Sequence, residues 1–273
     1  MQTEVETVET ERTEQSPQTV NPNNEQTKTR YHGLDFIRGI ALISMVLYHA
    51  LWDVVHLFGV QLTWYDSPFG YVWQQSICYT FILLSGFCVT FGKHKLRRGL
   101  IVTGASVIVS VVTIIAMPNA VIKFGVLSLI GVCMLLALPF DKIGRKINPY
   151  LGLAVCLVLF FLTRNVSRGN LGFESLKIVD LPNEWYANDF TAFFGFPHKR
   201  FRSSDYFPLF PWSFLFFSGY FLRGVLEKHR LTRFLTPSVC KPIQFIGRHT
   251  LPVYMAHQPV VYGILYLVFL FIP

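Results

Sequence analysis

Five ionisable side chains stand in one apolar stretch near the start of the chain: Asp35, Arg38, His49, Asp53 and His56. A charge inside hydrocarbon is costly, so groups of this kind face protein or a water-filled path and mark a candidate functional site. At about 100° per residue, Arg38, His49, Asp53 and His56 fall within a narrow arc of a single helix. His49 and Asp53 are spaced i, i+4, near enough for the carboxylate to accept from one imidazole nitrogen and leave the other free as a base. That arrangement suits general-base or nucleophilic chemistry, although a buried polar pair that merely packs helices has the same spacing. Arg38 precedes His49 by three helical turns, about 16 Å along the axis. It stands near one mouth of the membrane, where it could hold an anion or snorkel to headgroups. His56 falls near the other surface, as an interfacial residue.

Two later segments add polar groups. His257 and Gln258 make a polar step in the apolar closing stretch, about nine residues beyond Arg248 and so roughly 13 Å deeper. His257 is expected as a second wall of a catalytic tunnel, with an interhelical hydrogen bond as the simpler alternative. Arg248 at the mouth could hold a phosphate or an anionic lipid headgroup. Asp205, followed by Tyr206, Pro208, Pro211 and Trp212, reads as a rigid rim with an aromatic platform on which a sugar could stack. An interfacial aromatic belt is the alternative for Tyr206 and Trp212.

The elements that must position these residues are membrane spans. Stretches of about 20 apolar residues, enough to cross a hydrocarbon core of about 30 Å, occur at Leu34 to Val60, Gly70 to Gly92, Arg98 to Met117, Val121 to Phe140, Asn148 to Thr163, Phe207 to Leu226 and Thr250 to Ile272. The expected fold is therefore all-α, a polytopic bundle of about seven spans. Lys93, Lys95, Arg97 and Arg98, then Lys142, Arg145 and Lys146, then Arg223 through Arg248 alternate with loops nearly free of cations. By the positive-inside rule these basic loops and the N-terminus are cytoplasmic and the carboxyl terminus is outside. Residues 1–30, rich in Glu, Thr, Gln and Asn, are expected to be a disordered tail, and residues 31–273 a single transmembrane domain with an external loop at about 164–206.

The 273 residues are 52% apolar with 26 phenylalanines, a mean hydropathy of +0.40 and a net charge of +8. A water-soluble domain has no surface for so much apolar material. Because the cations sit in short runs between apolar segments, they read as topology signals rather than a nucleic-acid face. Cys78, Cys88, Cys133, Cys156 and Cys240 are scattered, without the close pairs of a zinc or redox site, and read as small apolar packers. No dinucleotide fingerprint, P-loop or metal-ligand cluster is evident. A proton-coupled transporter or flippase could use the same polar face, but seven spans do not divide into two inverted halves. A noncatalytic scaffold is a third class.

"GLDFIRGIALISMVLYHALWD" from Gly33 to Asp53 resembles the opening of bacterial membrane proteins similar to the catalytic domain of heparan-alpha-glucosaminide N-acetyltransferase. The Arg38-x10-His49 spacing also resembles the signature of a wider group of membrane acyltransferases. "FILLSGFCVTFG" (81–92), "KFGVLSLIGVCMLL" (123–136), "SSDYFPLFPWSFLFFSGY" (203–220) and "IGRHTLPVYMAHQP" (246–259) resemble later segments of the family in the same order. The resemblance implies a multi-pass cell-membrane acyltransferase that takes acetyl-CoA or another acyl-CoA from the cytoplasm, needs no metal, and acylates an envelope sugar or glycolipid. In that frame His49, Asp53 and His257 would be catalytic, Arg38 and Arg248 would hold the donor, and Asp205 and Trp212 would line the acceptor site. Membrane lipids are the other expected partners, nucleic acid is not one, and a homo-oligomer is compatible with this picture.

Overall fold

A computed structural model describes residues 30–91 and 94–271. The expected tail lies outside them except for Arg30, as do the last residues of the second and seventh expected spans, Gly92 and Ile272. Each of the seven apolar stretches contains a long helix: α1 (His32–His56), α2 (Pro68–Cys88), α3 (Lys95–Ala116), α4 (Val126–Gly144) and α5 (Pro149–Thr163), then, beyond the 164–208 segment, α7 (Leu209–Lys228) and α9 (Thr250–Phe271). Six helices among the described residues are long and apolar enough to cross a membrane, with α5 counted through its following turn to Arg168. The exception is α2, whose Gln74 and Gln75 lower its mean hydropathy although its 21 residues suffice in length.

Local chemistry sets where the helices begin. Ser67 accepts from the backbone N–H of Phe69 at 3.2 Å ahead of Pro68, and Asn148 accepts from Tyr150 at 3.0 Å ahead of Pro149. In both, a polar cap satisfies a free N–H and proline occupies the first turn, where its missing donor is not needed. Between α5 and α7 the chain is ordered rather than shapeless. A two-stranded antiparallel hairpin, β1 (Asn170–Phe173) and β2 (Leu176–Asp180), is followed by the short α6 (Asp189–Phe194). Lys123 and His198 clamp Asp189 at 3.0 and 2.9 Å, and these two partners hold its carboxyl below the usual carboxylate range.

The main core lies among α2, α4, α5 and α7, where Ile82, Cys133, Phe160 and Phe216 are shut off from solvent. Glycines let the helices approach to backbone contact. A side chain on Gly86 of α2 would lie 1.8 Å from the carbonyl oxygen of Phe216, and one on Gly219 of α7 would lie 2.1 Å from that of Leu83. α3 packs on α4, and α1 lies against α2, α9 and α8 (Lys241–Arg248), an amphipathic helix with no counterpart in the apolar pattern.

The basic loops meet at one end of the bundle. Asp141 of α4 accepts from Lys95 at 2.8 Å, from Arg145 at 2.6 Å and from Tyr220 at 2.8 Å, tying α3, α4 and α7 together. Removing one partner of a buried ion pair leaves the other uncompensated, at a cost of about 3 kcal/mol. Asp141→Ala is therefore expected to lower the unfolding midpoint in detergent clearly, and more than Arg145→Ala, because the Arg145 side chain is 68% exposed. Equal midpoints for the two variants would show that this knot does not hold the three helices.

Candidate functional site

α1 and α9 meet along a polar layer. Asp53 is fully buried, and its Oδ1 accepts from Nε2 of Gln258 at 2.6 Å. The hydrogen-bonded dyad expected between His49 and Asp53 is not formed: the carboxylate is turned across to α9. The physical reason is that a buried carboxylate needs a donor, and the amide one helix away is aimed at it. His49 instead faces His257, with ring centroids 5.0 Å apart. The α1–α9 interface thus brings together His49, Asp53 and His257, the three expected catalytic residues, and adds Gln258, which the sequence marked only as half of a polar step.

His257 is oriented by its own helix. Its Nδ1 lies 2.5 Å from the carbonyl oxygen of Tyr254. A carbonyl can only accept, so Nδ1 carries the proton and the lone pair of a neutral ring is on Nε2. That Nε2 is buried without a hydrogen-bond partner, as are Oδ2 of Asp53 and Oε1 of Gln258. Pro259 lies immediately beyond, inside α9, where it withdraws the N–H that would bond the carbonyl four residues earlier. Three unpaired buried acceptors in one layer are unusual, since most such atoms find partners, and they mark where a donor-rich group could bind.

At the basic end, Arg38 lies on α1 with its side chain 24% exposed and 3.4 Å from Asp35. Arg38, Arg98 and Arg223 all act electrostatically on Cys88 at the end of α2, so three helices contribute cations there. Exposed Arg248 closes α8 and donates to the carbonyl of Gln244 at 3.3 Å. Its neighbour Gly247 packs so closely that a side chain there would lie 1.9 Å from the carbonyl oxygen of Asp35. α8 therefore carries Arg248 to the same turn of α1 that precedes Arg38. A groove of about 440 Å³ lined by His94, Lys95 and Arg97 opens beside α3.

At the opposite end, Asp205 lines a cavity of about 210 Å³. Its Oδ2 accepts from the N–H of Val126 at 3.0 Å and so caps α4 from another segment. Burial pushes its carboxyl up to about 6, against the pull of that N–H. Trp212 is not the exposed platform its position suggested. It is only 4% exposed, packed against Phe207 and Phe160, with Arg164 over its face at 4.8 Å. The guanidinium covers the surface a sugar would use. Exposed His56 is in edge contact with Trp52 and Tyr65, as expected of an interfacial residue.

The Asp53–Gln258 bond fixes the rotation of α9 against α1. Gln258→Leu is expected to destabilise the protein by about 1 to 3 kcal/mol, the cost of an orphaned buried acceptor, and Asp53→Asn with Gln258→Leu together by less than the sum of the two single changes. Thermal unfolding of the four proteins in detergent measures the coupling, and strict additivity would remove the bond from the account.

The catalytic model of heparan-alpha-glucosaminide N-acetyltransferase matches residues 30–259. No curated protein and no solved structure matches the chain. The match runs from the first turn of α1 through Gln258 and Pro259, so both walls of the polar layer fall inside it. With most of its length covered and its helices built for a bilayer, this chain belongs to the heparan-alpha-glucosaminide N-acetyltransferase catalytic family, a family of membrane acyltransferases.

Proposed function

We propose that this protein moves an acetyl group, or another short acyl group, from acyl-CoA at the cytoplasmic face to an amine or hydroxyl of a cell-envelope sugar. The observation that carries this reading beyond the family is the fixed tautomer of His257, whose Nε2 lone pair is buried beside His49 and left without a proton donor of its own. A base held in that state takes a proton from the attacking group as it adds to the thioester carbonyl, and can return it to the departing CoA sulfur. The balance is a simple exchange: the C–S bond breaks, a C–N or C–O bond forms, and the acceptor's proton ends on the thiol. His49, facing His257, is placed to relay that proton or to take the acyl group itself. Asp53 acts through Gln258 in holding α9 in place and favours positive charge in the layer.

The count of unpaired groups favours an amine. Oδ2 of Asp53, Oε1 of Gln258 and Nε2 of His257 are all acceptors, and an amino group offers two or three N–H donors where a hydroxyl offers one. The donor's phosphates suit the cations at the basic end, Arg38 and Arg248 first, because guanidinium groups bind phosphate oxygens in pairs. α1 runs unbroken from Arg38 to His49, so an extended pantetheine arm has about 16 Å to cover along its polar face. Asp205 belongs to the acceptor side, and Trp212 contributes indirectly, as the support for Arg164. The orientation that fits is N-terminus and basic end cytoplasmic, in a multi-pass protein of the cell membrane.

Membranes carrying the protein, supplied with labelled acetyl-CoA, are expected to pass label to envelope amino sugars. His257→Ala is expected to lower the rate at least 100-fold with unchanged folding, and His49→Ala to lower it as well. Label retained on the wild-type protein but lost in His49→Ala would assign a covalent step to His49. Full transfer in His257→Ala would reject the base assignment. Failure to consume CoA, with solute uptake driven by a pH gradient instead, would turn the reading to a transporter.

A further inference from the structure

Between the end of α7 and Arg248 the chain carries a strip of cations and uncovered apolar side chains that the chemistry above does not use. We propose that this strip binds an anionic phospholipid, headgroup and upper acyl chain together, at the basic end of the bundle. Lys228, Arg230, Arg233 and Lys241 lie on it, and no acidic residue follows Glu227 in the chain. Among the described residues none of these four cations is in an ion pair. Interleaved with them, Phe234, Val239 and Phe245 are 66%, 68% and 59% exposed. Cations alone suit any phosphate, whereas cations beside uncovered apolar side chains suit a phosphate that is attached to hydrocarbon.

The strip lies at the depth such a ligand needs. α1 has 25 residues, about 37 Å at 1.5 Å per residue against a hydrocarbon core of about 30 Å, so its first turns, with Asp35 and Arg38, reach the headgroups. A 3-10 turn, Leu231–Leu235, passes α1 at Gly33, where a side chain would lie 3.1 Å from the backbone of Leu235. α8 passes it at Gly39, 2.1 Å by the same measure from the carbonyl oxygen of Ile243. From Gly33 to Gly39 is about 9 Å along the axis, comparable to the roughly 5 to 10 Å over which amphipathic segments sink into the headgroup boundary. Ile243 and Gly247 turn one side of α8 to α1, and Lys241 and Phe245, one turn apart, stand exposed on the other. Arg233 sits over the ring of Phe234 at 5.0 Å, which presents cation and ring together. A choline headgroup carries the same phosphate, but its ammonium meets four cations; an anionic headgroup meets no like charge.

Only His249 separates α8 from α9, so a lipid that holds the strip also holds the depth at which α9 starts. That this supports acyl transfer, by seating His257, rests on the function proposed above; the lipid binding itself does not. Arg248, placed above with the donor, is left out of the lipid site.

The test uses the full-length protein in detergent, titrated with phosphatidylglycerol or phosphatidylcholine, with retained lipid counted by native mass spectrometry. Phosphatidylglycerol is expected to bind about tenfold more tightly than phosphatidylcholine. The triple variant Arg230→Gln, Arg233→Gln, Lys241→Gln is expected to lose that preference with an unchanged unfolding midpoint. A control with the same change of charge, Arg97→Gln, Lys142→Gln, Lys146→Gln, is expected to keep it. Phe234→Ser with Phe245→Ser is expected to weaken retention although every cation remains. Equal binding of the two lipids, or a preference lost as fully in the control as in the triple variant, would overturn the proposal. Displacement of the lipid by CoA would also overturn it, because the cations would then belong to the donor. Selective lipid binding by a protein that never consumes acetyl-CoA would leave the site standing and remove the acyl-transfer reading. Acetyl transfer by a protein with no lipid preference would do the reverse.

Discussion

A carboxylate in a low-dielectric interior has to find a donor, and Asp53 finds one on the last helix of the chain. α9 is a peripheral helix: most of its contacts are with α1, with smaller ones to α3 and α8, and much of the rest of its surface, including Val260, Ile264, Leu267 and Leu270, is exposed apolar side chain suited to lipid. Apolar packing against lipid or protein differs little in a bilayer, so it does not choose which face of such a helix turns inward. The Gln258 amide on Asp53 does choose. Once that bond is made, His257, one residue earlier on the same helix, is brought against His49 one turn earlier on α1. The His49–His257 pair, proposed above as catalytic, is thus a consequence of a bond that takes no part in the proposed chemistry.

The opposite end of α1 is fixed by a different kind of contact. Gly39 and Gly247 allow α8 to lie directly on the α1 backbone: a side chain on Gly39 would fall 2.1 Å from the carbonyl oxygen of Ile243. α8 leads straight into α9, so the depth at which α9 starts is set there, and the angle at which it turns is set by Asp53. Two constraints on one rigid helix, Gly39 and Asp53 of α1, about four turns apart, determine where His257 sits. The basic end, proposed above as the donor's place, is then in register with the polar layer without any further device, because both are read out along the same unbroken α1.

The helices were legible in the residues because their signal is length and apolarity, which survive any detail of packing. Seven apolar runs produce seven long helices, with ends displaced by a few residues, as at α1, which stops at His56 rather than Val60. The site was legible only in part. Charged and polar side chains within apolar runs pointed to His49, Asp53 and His257, but their pairing was not readable. The i, i+4 spacing places Asp53 near His49 on a helix surface and says nothing of the rotamer, which is decided by a donor 205 positions away. Trp212 failed for a related reason: residue type and position suggested an interfacial ring, while the cation that covers it comes from the end of α5. The hairpin of β1 and β2 was hidden because its strands are four and five residues long and β2 is exposed throughout, without the alternation that marks a half-buried strand. α8 was missed because eight residues with two cations look like the loop around them.

The unpaired atoms of the polar layer bear on why the arrangement persists. Each buried acceptor without a donor costs on the order of 1 to 3 kcal/mol, and three of them lie in a single layer. A purely structural polar contact gains nothing from leaving them open. A binding layer does, because a ligand that brings the missing N–H groups recovers the cost on arrival, and one that lacks them does not. In the acyl-transfer reading proposed above, the same open acceptors that weaken the empty protein become its discrimination between an amine and a hydroxyl, with Nε2 of His257 at once one of these acceptors and the proposed base.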